Sequence, residues 1–172
     1  IEDNYFIGRR TPTLNYRGIF MLNSIGSYNV KIYRNQIIHY TGEGILVSGL
    51  VNSTIANNII SGTGNPRYNI DINSSTNLQV LFNSCLIDNP TNSLAAAINI
   101  YGNNNTADLF NNSFVNKNKG FAALLDESHL RKSDYNNFYA TDTVPIYDFS
   151  TTYDLATWQS TFQRDTFSVS GL

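Results

Sequence analysis

The chain has 172 residues, enough for one domain with a sizeable core, and its formal net charge of -2 argues against nucleic acid or an anionic membrane as partner. Charged residues make up 14% and aromatics 13%, a composition expected of a secreted or cell-surface β protein. Cys85 is the single cysteine, which excludes an intrachain disulfide and a Cys-based zinc site, and no apolar run approaches the ~20 residues a membrane helix needs.

Taken in chain order, one apolar pattern recurs. Ile1/Asn4/Phe6 opens the chain, and Ile32/Asn35/Ile37, Ile55/Asn58/Ile60, Val80/Asn83/Cys85 and Leu109/Asn112/Phe114 repeat its central spacing. A degenerate copy, Ser133/Asn136/Phe138, ends the series. From Asn35 onward the asparagines stand 23, 25, 29 and 24 residues apart. Between these copies runs a second motif with alternate apolar positions: "GIFM" (Ile19, Met21), "GILV" (Ile45, Val47), "NIDI" (Ile70, Ile72), "AINI" (Ile98, Ile100), "AALL" (Ala123, Leu125) and weakly "TVPI" (Val144, Ile146).

Each repeat reads as three short strands of period two. Strands this short bury nothing alone, but stacked coil on coil about 4.8 Å apart they form one core. A sandwich gives no reason for a repeat near 25 residues. The expected fold is therefore all-β, a parallel β-helix of about six coils. Residues 1–140 would form the coils and residues 141–172 a cap and tail. The chain starts inside a repeat, so coils or a cap upstream of Ile1 are expected to be missing. An asparagine amid apolar positions would be costly if unpaired. Asn35, Asn58, Asn83, Asn112 and Asn136 are expected at a sharp corner, in the left-handed conformation that Asn tolerates, each amide bonded to the next in a ladder.

These coils resemble the right-handed parallel β-helix of the pectin-lyase-like superfamily, over about Ile1 to Phe138. That superfamily holds polysaccharide lyases, glycoside hydrolases, phage tailspikes and surface proteins, and the five asparagines match its ladder position. The tail residues Trp158, Gln159, Asp165 and Ser168 are similar to the C-terminal end of many bacterial right-handed β-helix proteins. Thr152 or Asp154 would cap a short helix over about Asp154 to Phe162, with Leu155, Trp158 and Phe162 plugging the core.

The resemblance puts active sites on the outward row of the first strand, here Phe20, Leu46, Asp71, Asn99 and Leu124. Lyases of this type need several carboxylates for calcium plus a basic residue, and hydrolases need paired carboxylates. The row has Asp71 alone, so no cofactor is expected, with calcium entering only if the lyase reading holds. Loops entering this strand are expected to gather Arg9, Arg10, Tyr16, Arg17, Tyr40, Arg67 and Tyr68 as contacts for an acidic or hydroxylated sugar. His39 and Glu43 could form an acid/base set with Asp71. "DESH" (Asp126, Glu127, His129) resembles a metal cluster but falls at a turn, where polar residues are expected anyway. The second-strand outward row, Lys31, Thr54, Gln79, Asp108 and Lys132, is neither a threonine array nor a basic stripe. The expectation is an extracellular or surface segment that contacts a polysaccharide or cell-surface glycan, or serves as adhesin or scaffold, without catalysis. The alternative is a fragment of a polysaccharide lyase or glycoside hydrolase.

Overall fold

A computed structural model of the protein describes residues 1–8, 16–63, 65–89 and 91–171. A lone strand β1 (Tyr5–Ile7) precedes five full turns of three strands each. They are β2 (Ile19–Tyr28), β3 (Lys31–Tyr33) and β4 (Gln36–Ile38); then β5 (Glu43–Val51), β6 (Thr54–Ala56) and β7 (Ile59–Thr63). The third turn is β8 (Tyr68–Asn73), β9 (Leu78–Leu81) and β10 (Ser84–Asp88), and the fourth β11 (Ala96–Tyr101), β12 (Ala107–Phe110) and β13 (Ser113–Asn116). The last comprises β14 (Phe121–Leu125), β15 (Leu130–Asp134) and β16 (Asn137–Ala140). Two short strands, β17 (Ile146–Tyr147) and β18 (Thr152–Tyr153), and helix α1 (Leu155–Phe162) follow. First, second and third strands stack into three separate sheets, all parallel except the final β17–β18 pair.

Stacking places like on like. The first sheet turns Ile19, Ile45, Ile70, Ile98, Ala123 and Ile146 inward as one row. The third does the same with Phe6, Ile37, Ile60, Cys85, Phe114 and Phe138. Cys85 serves as a small hydrophobe in that row, and burial pushes its thiol pKa up. The glycine of the "GILV" motif has a packing cause, since a Cβ on Gly44 would lie 2.5 Å from the Ile60 side chain.

The asparagine ladder is continuous from Asn4 to Asn136. Each amide nitrogen donates to the next rung's oxygen, at 3.0, 3.0, 2.9, 3.0 and 3.0 Å along the series. The same oxygen accepts the backbone N–H of the rung before it, and the second amide hydrogen goes to a carbonyl of the preceding coil, as from Asn83 to Ile55. Four bonds per interior rung leave the buried amides satisfied. One expectation is corrected. The left-handed residue at this corner is not the ladder asparagine but the one before it: Asp3, Arg34, Asn57, Phe82, Asn111 and Tyr135, with φ between 51° and 57°. The asparagine instead holds that strained corner closed through its own N–H and amide.

The top of the stack is shut by the tail. Asp154 caps α1, accepting from Thr157 N–H at 2.7 Å, and Trp158 is fully buried against Tyr153 and Phe162. Trp158 Nε1–H donates to Asp165 Oδ2 at 3.0 Å, while Asp165 Oδ1 accepts from Ser133, Ser168 and Asn136. Ser168 Oγ takes the backbone N–H of Asn136, standing in for the missing next rung. Val169 then pairs with the β16 edge, so the third sheet does not end bare.

Replacing an interior rung strips partners from both neighbours. Asn83→Ala should lower stability by about 3 kcal/mol or more, from buried donors and acceptors left unpaired. The exposed Asn103→Ala should change it by less than about 0.5 kcal/mol. Denaturant unfolding followed by far-UV circular dichroism checks this, and equal effects from the two would refute the ladder's structural role.

Candidate functional site

Several ionisable side chains meet on the outer face of the first sheet. Pairing puts Phe20, Leu46, Asp71, Asn99, Leu124 and Tyr147 in one outward row. This row was expected at the surface, yet Asp71, Asn99 and Leu124 are each 3% exposed. Neighbouring side chains roof it over. Tyr68, Ala96, Phe121, Leu124 and Tyr147 form a small apolar cluster on this outer face, with the Phe121 and Tyr147 rings stacked 5.1 Å apart. The C-terminal half of the face is thus apolar and the N-terminal half charged.

The charged half centres on Asp71. Asn99 Nδ2 donates to Asp71 Oδ1 at 2.8 Å. Burial pushes the Asp71 carboxyl up to about 6, an effect that the Asn99 bond opposes, the charge of Glu43 adds to, and Arg67 and Arg17 counter. Glu43, buried at the start of β5, is salt-bridged to Arg17. Arg17 also lies 4.7 Å above the exposed Phe20 ring, and Arg67 lies 4.9 Å above the Tyr68 ring. The amide oxygen of Asn99 is buried with no hydrogen-bond partner, an open acceptor beside the acid.

Of the residues expected to gather here, Arg17, Glu43, Arg67 and Tyr68 do meet Asp71. Others do not. Tyr40 is 1% exposed and its hydroxyl donates to Asn69, so it is a core residue with no face for a ligand. His39 sits at the corner after β4, where Nδ1 meets Thr63 Oγ1 at 3.1 Å. Tyr16 ties two loops together: its N–H donates to Thr41 Oγ1 and its carbonyl accepts from Thr41 and Gly42. Arg9 and Arg10 lie outside the described residues. The "DESH" turn is spent structurally, with Asp126 capping a single 3-10 turn and Glu127 paired to Arg164 at 2.6 Å. Tyr101, which the sequence reading passed over, sits two residues beyond Asn99 on the same outward side, and the charges of Asp71 and Arg67 act on its hydroxyl. Period-two alternation along β11 was the signal that could have found it.

Two carboxyl groups, one lifted toward neutrality and one salt-bridged, are the minimum that glycoside hydrolysis asks for. Calcium does not fit this donor set. Asp71 and Glu43 are its only carboxylates among the described residues, Glu43 is taken by Arg17, and no group of three or more such ligands occurs among those residues.

Three parallel sheets stacked by an internal ladder define a β-solenoid. The model of the right-handed β-helix region family matches residues 1–138, and the chain belongs to that family. A search of the curated proteins and of the solved structures returns no match.

Asp71 makes a pH prediction. Its folded-state pKa is raised above the unfolded value, so the native state binds the proton more tightly and loses stability as pH rises from about 4 through 6. Asp71→Asn should therefore match the parent protein near pH 4 and be the more stable at pH 7.5, by up to about 3 kcal/mol. Denaturant melts at the two pH values test it, and a variant no more stable at pH 7.5 would remove the case for a destabilised acid.

Proposed function

We propose that this chain is a segment of a secreted or surface-displayed β-helix protein that holds an acidic glycan on the outer face of its first sheet, as an adhesin or scaffold, without turning it over. One observation carries the reading: two exposed arginines, Arg17 and Arg67, each rest on an aromatic ring at one edge of this face. Guanidinium groups positioned this way suit bidentate pairing with a uronate carboxylate, and the exposed Phe20 ring suits the sugar. The buried Asp71 and Glu43 then position Arg17 and Arg67 by charge rather than react.

A second reading has its own support. The raised pKa of Asp71 and the open acceptor of Asn99 favour a hydrolytic acid with Glu43 as its partner carboxylate. One experiment separates the two. A glycan array with uronate-containing and neutral oligosaccharides is run beside reducing-sugar and unsaturated-product assays at pH 5 and pH 7.5. Retention of uronate glycans without product, weakened tenfold or more by Arg67→Gln and by added salt, is the expected result. Product that disappears in Asp71→Asn would replace binding with hydrolysis.

A further inference from the structure

The left-handed corner that precedes each ladder rung forms an outward column of its own. Its first part is charged, with Arg34 paired to Asp3 at 2.7 Å. Its second part is Phe82, Asn111 and Tyr135, and Phe167 from the tail extends it by stacking on Tyr135 at 5.3 Å and 9°. The three rings are 54%, 54% and 64% exposed. A shallow groove of about 480 Å³ follows the column, flanked by Ser84, Ser113 and Asn137, and no charged residue lines it.

The Tyr135–Phe167 stack fastens the tail to the last coil, but the Phe82 ring makes no aromatic contact among the described residues. At φ near 55° the backbone favours asparagine or glycine, and this corner has asparagine at Asn57 and Asn111. Phe82 and Tyr135 endure the same conformation at a cost in strain, with their rings in solvent rather than in the core. A strained backbone and exposed apolar rings along a groove both mark binding surfaces.

We infer that this column is a binding cleft for a neutral oligosaccharide, with one sugar ring over Asn111 between Phe82 and Tyr135. Those two residues are two coils apart, about 10 Å at about 4.8 Å per coil. That gap admits one saturated six-membered ring in van der Waals contact on both sides. The C–H faces of the sugar meet the aromatic faces, and its hydroxyls meet the Asn111 amide and the serine hydroxyls, which both donate and accept. An uncharged lining offers no cation to offset the desolvation cost of an acidic sugar. The cleft lies on a different edge from the arginines of the first sheet and does not depend on their role.

Affinity electrophoresis and calorimetry with neutral hexasaccharides of β-1,4-glucose, α-1,4-glucose, β-1,4-mannose and β-1,4-galactose, beside a galacturonate hexamer, test the cleft. At least one neutral hexamer should bind, with affinity lowered tenfold or more by Phe82→Asn and by Tyr135→Asn. Both substitutions suit the left-handed backbone, and circular dichroism confirms their fold. Arg67→Gln should leave neutral binding unchanged, which separates this cleft from the acidic-glycan face. The inference is overturned if no neutral hexamer binds, or if binding survives both substitutions. It is equally overturned if sedimentation shows a dimer that Phe82→Asn dissolves while no sugar is held.

Discussion

Each coil of this protein must turn at a corner that forces one residue into the left-handed conformation, and it must do so beside a fully buried apolar core. The asparagine ladder meets both demands with one residue type. Its amide and N–H tie the left-handed residue before it into the coils above and below, and every polar atom that this buries is returned a partner. Without that closure the second and third strands could not meet at a fixed angle. The inward rows of isoleucine, valine and phenylalanine would then lose the register that stacks like on like.

Much of this was legible because a solenoid repeats its physics. A single Ile-x-x-Asn-x-Ile segment says little, whereas six at a near-constant interval imply a shared corner and a shared core. The tail was legible for a related reason. Leu155, Trp158 and Phe162 fall on one face of a capped helix beyond the last repeat, which suggests a plug, and Trp158, Gln159, Asp165 and Ser168 resemble the tails of other β-helix proteins. Spacing could not say which residue at the corner takes the strain, since asparagine is itself the usual tolerant residue. Phe82 and Tyr135 hide the true position because their side chains argue against a left-handed backbone.

The candidate site was only half legible. Alternation places Asp71 and Asn99 in the outward row, and an outward position on a strand reads as exposed. That step fails because Tyr68, Phe121 and Tyr147, from three strands of the same sheet, pack against one another over its outer face, contacts that no periodicity records. Tyr40 fails in the opposite sense. A loop tyrosine beside glycines reads as surface, but its ring fills the corner between the third and first sheets and its hydroxyl finds Asn69 inside. The two faces now differ in kind: charge held half-buried behind arginine on one, uncharged rings in solvent on the other.

The ladder also has a direction. Every rung accepts hydrogen bonds from the N-terminal side and donates toward the C-terminal side, so the amide dipoles add in one sense along the solenoid. The two ends of such a column are chemically unlike. Its C-terminal end presents donors and can be closed only by acceptors, which is the part that Ser168 Oγ and the Asp165 carboxylate play for Asn136. Its other end can be lengthened only by a residue bringing a backbone N–H and an amide together, as Asn4 does for Asn35. A cap built for one end would be useless at the other, and two such solenoids joined head to head would set like poles against each other. The column therefore works as a polarity marker, permitting growth of the stack in one sense and termination in the other.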